Sequence, residues 1–231
     1  MDKKIIGIIG GMGPMATADI FRRLVEHTDA ESDAEHIHII IDNYPQIPDR
    51  TKAILSGDES LVSYLAEAGK RLEKAGADLL MIACNTSHYF YDALCKELNV
   101  PVIHMIRECA KRVCTLGYSK VALLATDGVV FSGIYGSVFG EYGIEVLTPD
   151  TEGQRKVMKL IYEEVKAGKQ SHPEALTQDL DELTRKGAQA FILGCTELPI
   201  AFGENNSRIF IDPTEIVTEV AIVSAGYRYK D

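Results

Sequence analysis

The sequence predicts an α/β protein built from two pseudo-symmetric halves, each a parallel sheet covered by helices. Short β-branched runs alternate with amphipathic helical stretches, and no hairpin signal joins one run to the next. A third observation adds the symmetry. Gly76-Ala77-Asp78-Leu79-Leu80-Met81-Ile82-Ala83-Cys84-Asn85-Thr86 has an echo in Gly187-Ala188-Gln189-Ala190-Phe191-Ile192-Leu193-Gly194-Cys195-Thr196-Glu197. Both segments begin with Gly-Ala after a helix, run through a buried strand, and place a cysteine at the same offset.

The elements follow in order. Lys3–Gly10 is a β-branched run ending in glycines and reads as a buried strand; Pro14 to about His27 has helical spacing at Ile20, Phe21, Leu24 and Val25. His36–Asp42 is a second strand, and the two prolines of Asn43–Thr51 mark a loop. Ser60 to about Ala75 carries Leu61, Leu65, Ala68 and Leu72 on one helical face, followed by a strand at Asp78–Ala83, a helix at Ser87–Leu98 and a short fourth strand at Val100–Met105. The pattern then restarts. Lys120–Ala125 resembles the opening strand, Gln154–Val165 and Pro173–Lys186 are helical, and Ala190–Gly194 is a strand. The expected domains are therefore residues 1–104 with Cys84 and residues 105–212 with Cys195, while a last helix within about 213–231 packs back on the first half.

Composition narrows the function. The chain is 46% hydrophobic and 25% charged, enough for an ordinary globular core, and no apolar run reaches the roughly 18 residues that span a bilayer. Met1-Asp2-Lys3-Lys4-Ile5 enters a strand pattern at once with no apolar leader, so a cytoplasmic location with no membrane partner is expected. A formal charge of −10 argues against nucleic acid, whose phosphates require clustered Lys and Arg, and means that an anionic substrate needs local cations. The five cysteines are odd in number and contain no C-x-x-C pair, which argues against a disulfide framework or a zinc site. No metal is expected.

A cysteine that ends an apolar strand is usually a small buried hydrophobe, the reading given to Cys95, Cys109 and Cys114 at helical spacings. Cys84 and Cys195 differ in being a matched pair, each at a strand's carboxyl end just before a helix start. Ligands of open α/β sheets bind at those ends, and a helix N-terminus lowers a thiol's pKa. Two such halves would present both sulfurs to one cleft from opposite sides. That arrangement suits inversion of a stereocentre, which requires a base on one face and an acid on the other. Asn85, Thr86 and Thr196 are candidate donors to the carbanion that forms.

The loop Gly10-Gly11-Met12-Gly13-Pro14-Met15-Ala16 raises a rival. Read as Gly11-x-Gly13-x-x-Ala16 with Asp42 as ribose acceptor, it matches the nicotinamide dinucleotide fingerprint of an oxidoreductase, although Asp42 lies further along than the usual spacing of about twenty residues. The alternative role for Gly11 and Gly13 is to let backbone N–H groups approach a small carboxylate.

Taken together, Gly10-Gly11-Met12-Gly13-Pro14, Tyr44-Pro45-Gln46-Ile47-Pro48-Asp49-Arg50-Thr51, Ala83-Cys84-Asn85-Thr86-Ser87-His88 and Gly194-Cys195-Thr196-Glu197-Leu198 resemble the aspartate/glutamate racemase family over nearly the whole chain. The resemblance implies a cofactor-free (PLP-independent) two-cysteine racemase, with the active site in the cleft between two α/β domains, and a homodimer. It assigns acid/base roles to Cys84 and Cys195, and substrate contacts to Met12, Asn85, Thr86 and Thr196. Arg50 and Lys166 fall where aspartate racemases bind the two substrate carboxylates, which fits a planar fork and a point charge respectively. Gly-Gly-Met-Gly in place of Asp-Ser-Gly, and Thr196-Glu197 in place of Thr-His, favour aspartate over glutamate. Glu197 would polarise the second thiol or cap a helix. His88, one turn past Cys84, would tune the site or serve structurally. An isomerase or decarboxylase of another small diacid, and a non-catalytic binding protein, are the remaining alternatives.

Overall fold

The computed structural model describes residues 3–203 and 208–230, and the chain divides into two compact units, Met1–Met105 with Thr214–Asp231, and Ile106–Pro213. Met1, Asp2 and Asp231, included above in the chain's start and last helical stretch, lie outside the described residues.

In the first unit three parallel strands, β1 (Ile6–Gly10), β2 (Ile39–Asn43) and β3 (Leu79–Ile82), run in the order β2-β1-β3, with Ile8 opposite both Ile41 and Met81. All five residues of β1 are buried, as its uninterrupted apolar run requires of a central strand. Helix Leu61–Lys74 lays Leu61, Leu65, Ala68 and Leu72 on one sheet face, against Ile9, Leu80 and Ile82. On the other face Ile20 and Leu24 of helix Pro14–His27, with Val217, Ala221 and Ile222 of helix Pro213–Ser224, pack on Ile6, Ile8 and Met81. Each fully buried Leu or Ile contributes about 1.5–3 kcal/mol of transfer free energy.

The second unit has four parallel strands, β4 (Lys120–Leu124), β5 (Glu145–Leu147), β6 (Phe191–Leu193) and β7 (Phe210–Ile211), ordered β5-β4-β6-β7. Ala122, Leu124, Phe191 and Leu193 form its core with Val157, Leu160, Ile161, Leu180 and Leu183. Among the described residues no helix is long and apolar enough to cross a membrane.

Four sequence expectations need correction. Val100–Met105 is not a strand: it makes one bridge, Val102 opposite Leu80, since Pro101 has no N–H to donate and Met105 already opens helix Met105–Thr115. The loop expected over Asn43–Thr51 ends at Asp49, whose carboxylate accepts from the Lys52 N–H at 2.8 Å and caps a helix at Arg50–Ser56. Ser87–Leu98 is broken into a 3₁₀ turn, Thr86–Phe90, and a short helix, Tyr91–Cys95. The helix expected at Gln154–Val165 starts earlier, as Thr151–Lys159, and widens into a π segment, Leu160–Val165.

Candidate active site

In the first unit β3 leads through Ala83 to Cys84, which is 5% exposed and packs in the same cluster as Met12 and Ile82. Asn85, Thr86, Ser87 and His88 are all buried behind it. The His88 N–H donates to the Asn85 carbonyl at 3.0 Å, while its ring Nδ1 meets the Cys84 carbonyl at 2.9 Å. The imidazole thus takes the acceptor that an α-helical N–H would have used, which is why the segment following Cys84 is 3₁₀. Its other nitrogen, Nε2, accepts from the Met105 N–H at 3.1 Å, so Nδ1 carries the ring proton and donates to Cys84. His88 is a neutral pillar that fixes the Cys84 backbone against the start of helix Met105–Thr115.

Burial lowers the His88 pKa from 6.5 to about 4, against the opposing pull of the carbonyls around it. Between those values the unfolded chain binds a proton that the folded chain refuses. Stability from this residue is therefore complete above pH 6.5 and declines as pH falls toward 4. At pH 4.5 the loss is about 2–3 kcal/mol relative to pH 7. Urea unfolding of wild type and His88→Gln at the two pH values should give a larger decrease for the wild type by that amount. Equal decreases would show that His88 is not the titrating group.

The glycine loop after β1 is drawn tightly onto the end of β2. Gly11 has φ +91, and its N–H donates to Thr17 Oγ1 at 2.8 Å. Gly13 caps helix Pro14–His27 with extended backbone and accepts from Thr17 Oγ1 at 3.1 Å. Met12 between them is buried, with Ser87 Oγ 3.3 Å from its sulfur. Arg50 donates to the carbonyls of Met12 (3.2 Å), Pro48 (3.1 Å) and Ile47 (3.4 Å), tying the glycine loop to the proline loop. Asp42, the ribose acceptor of the dinucleotide reading, is instead bound by Arg71 at 2.7 Å.

In the second unit β6 leads through Gly194 to Cys195, 6% exposed. Gly194 is required by close packing: a Cβ there would stand 2.6 Å from Leu123 Cδ1 and 3.1 Å from the Leu124 carbonyl oxygen. Glu197 occupies the N-cap position of helix Leu198–Phe202 but makes no cap bond. Its buried carboxylate turns back, accepting from Cys195 Sγ at 2.9 Å and Thr196 Oγ1 at 3.2 Å on one oxygen, and pairing with Lys166 Nζ through the other. Lys166 follows the π segment directly, and its N–H bonds back five residues to the Ile161 carbonyl, the wide turn that brings its side chain to Glu197. Behind Cys195 lies Tyr135, fully buried, whose phenol is held neutral first by burial and then by Cys109, Cys195 and Asp212. Burial also pushes the Cys109 thiol up, with Asp212 acting in the same direction. Tyr135 and Asp212 carried no sequence signal: both come from segments remote from the Cys195 motif.

Within the first unit, Met12, Arg50, Cys84, Asn85 and Thr86 thus share one strand-end region, and within the second, Lys166, Cys195, Thr196 and Glu197 share another. Parallel α/β units, each with a buried thiol at a strand end, place the chain among α/β enzymes. The Asp/Glu/Hydantoin racemase profile matches residues 9–221, and the chain belongs to that family: it is an isomerase, an amino-acid racemase. It is 36% identical to the aspartate racemase of Picrophilus torridus, with a TM-score of 0.86 over 98% of this chain and 96% of that one. An aspartate racemase homologue from Pyrococcus horikoshii is 30% identical, with a TM-score of 0.80 over 96% and 99% of the two chains. The broad specificity amino-acid racemase RacX of Bacillus subtilis is 28% identical over 98% of this chain and 100% of its own length.

Proposed function

We propose that the chain interconverts L- and D-aspartate without a cofactor, with Cys84 and Cys195 as the two acid–base groups. The supporting observation is the matched placement of one buried cysteine at the end of β3 and another at the end of β6, each followed by hydroxyl or amide side chains. One sulfur, as thiolate, takes the α-proton and becomes a thiol. The other, as thiol, returns a proton to the opposite face and becomes the thiolate, so charge and protons balance and the reverse reaction exchanges the roles. The carbanion in between draws on preorganised donors, for which Asn85, Thr86 and Thr196 are the candidates.

Arg50 and Lys166 are the proposed carboxylate partners, and the similarity to the aspartate racemase of Picrophilus torridus favours a four-carbon diacid. Lys166 would exchange Glu197 for one substrate carboxylate, and the planar guanidinium of Arg50 suits the other. The similarity to RacX makes breadth of substrate a second outcome to be measured. The test is incubation of each enantiomer of a panel of amino acids in deuterated buffer without PLP, followed by chiral separation and mass analysis. Aspartate should invert and gain one deuterium at Cα. Turnover of other amino acids with aspartate inert, or saturable aspartate binding without exchange, would move the substrate assignment.

A further inference from the structure

The geometry points to a particular role beside the second thiol: Glu197 is a positioning residue that holds Cys195 protonated and orients its S–H. This deepens the proposed function and rests on its choice of the two cysteines. A carboxylate oxygen 2.9 Å from Cys195 Sγ accepts the S–H bond, which the thiol can donate and the thiolate cannot. Ionising that sulfur also places a second negative charge against the first inside a buried site. Lys166 moderates the effect by neutralising Glu197 from its far oxygen. At the matched offset from Cys84 stands Thr86, which is uncharged at every working pH.

The other titratable groups on this side of the second unit are Tyr135, Cys109, Asp212 and Arg112, and they do not all act in one direction. Tyr135 stays a neutral phenol; beyond it Asp212 adds negative charge, and Arg112 acts on Cys109 in the opposite sense. Tyr162 offers Lys166 a ring face 5.7 Å from Nζ. Cys195 then rests as the proton donor of the two-thiol reaction.

The experiment is the pH dependence of iodoacetamide alkylation, read separately for the Cys84 and Cys195 peptides by mass spectrometry, with thermal melting of every variant as the folding control. Glu197→Gln, which keeps an acceptor of the same size, should lower the Cys195 midpoint by about one unit or more, whereas Lys166→Met should raise it. Neither variant should move Cys84. The opposite signs distinguish a charge effect from a packing effect, and Lys166→Met carries the test alone if Glu197→Gln does not fold. Both variants moving the Cys195 midpoint in one direction, or neither moving it, would overturn the proposal. Because alkylation needs no turnover, that failure is separable from failure of the deuterium assay.

Discussion

Replacing either Cys84 or Cys195 by alanine should lower aspartate racemisation by about 10³-fold or more, the loss expected when a general acid or base is removed outright. The two variants are not equivalent in what survives. With Cys195 replaced, Cys84 retains the ability to remove a proton from one face and return it to the same face. Deuterium should then enter one enantiomer of aspartate with retention, and the Cys84→Ala protein should exchange only the other. Cys109→Ala is the control. Cys109 is fully buried and surrounded by core side chains, so its truncation should cost stability while leaving inversion near the wild-type rate. Full racemisation by either active-site variant, or exchange of the same enantiomer by both, would rule out a thiol on each face.

Much of this framework is legible in the sequence because it rests on local patterns. The apolar runs of β1, β3 and β6 are uninterrupted, and the Leu61-Leu65-Ala68-Leu72 spacing leaves one helical reading. What escapes has a physical cause in each case. β5 and β7 are three and two residues long and exist through their neighbours β4 and β6. Helices Asp127–Ser132 and Ile134–Gly140 contain or flank Gly128, Gly133, Gly136 and Gly140, which erase the helical signal although Thr126 caps the first through the Val129 N–H. The break after Cys84 depends on a histidine ring replacing a backbone donor, a tertiary choice that no propensity records.

The site shows the same division. The approach of Glu197 to the Cys195 thiol could be read from their two-residue separation in sequence. Its pairing with Lys166 joins elements thirty-one residues apart through a π turn. Arg50 is positioned as a staple of two loops, which its place in a proline-rich run did not reveal.

Gly11→Ala should destabilise the protein by about 2–4 kcal/mol, combining a disfavoured backbone conformation with a clash that cannot relax locally. A Cβ at Gly11 would stand 2.4 Å from the Tyr44 carbonyl carbon and 2.5 Å from its nitrogen, and backbone at the end of β2 cannot rotate aside as a side chain would. At about 2–4 °C per kcal/mol for a chain of this size, the melting temperature should fall by roughly 5–15 °C. Gly57→Ala separates the two contributions: Gly57 also has positive φ, at +68, but nothing lies within 4 Å of its Cβ position. It should cost only the dihedral penalty, about 1 kcal/mol. The excess at Gly11 is then the measure of how tightly the glycine loop is drawn onto β2. Displacing that loop moves the Met12 carbonyl that Arg50 holds, so the Gly11 variant should also lose activity beyond its loss of folded protein. Equal stability of the two alanine variants would mean that the loop and strand can separate at no cost, and that Gly11 contributes flexibility rather than close packing.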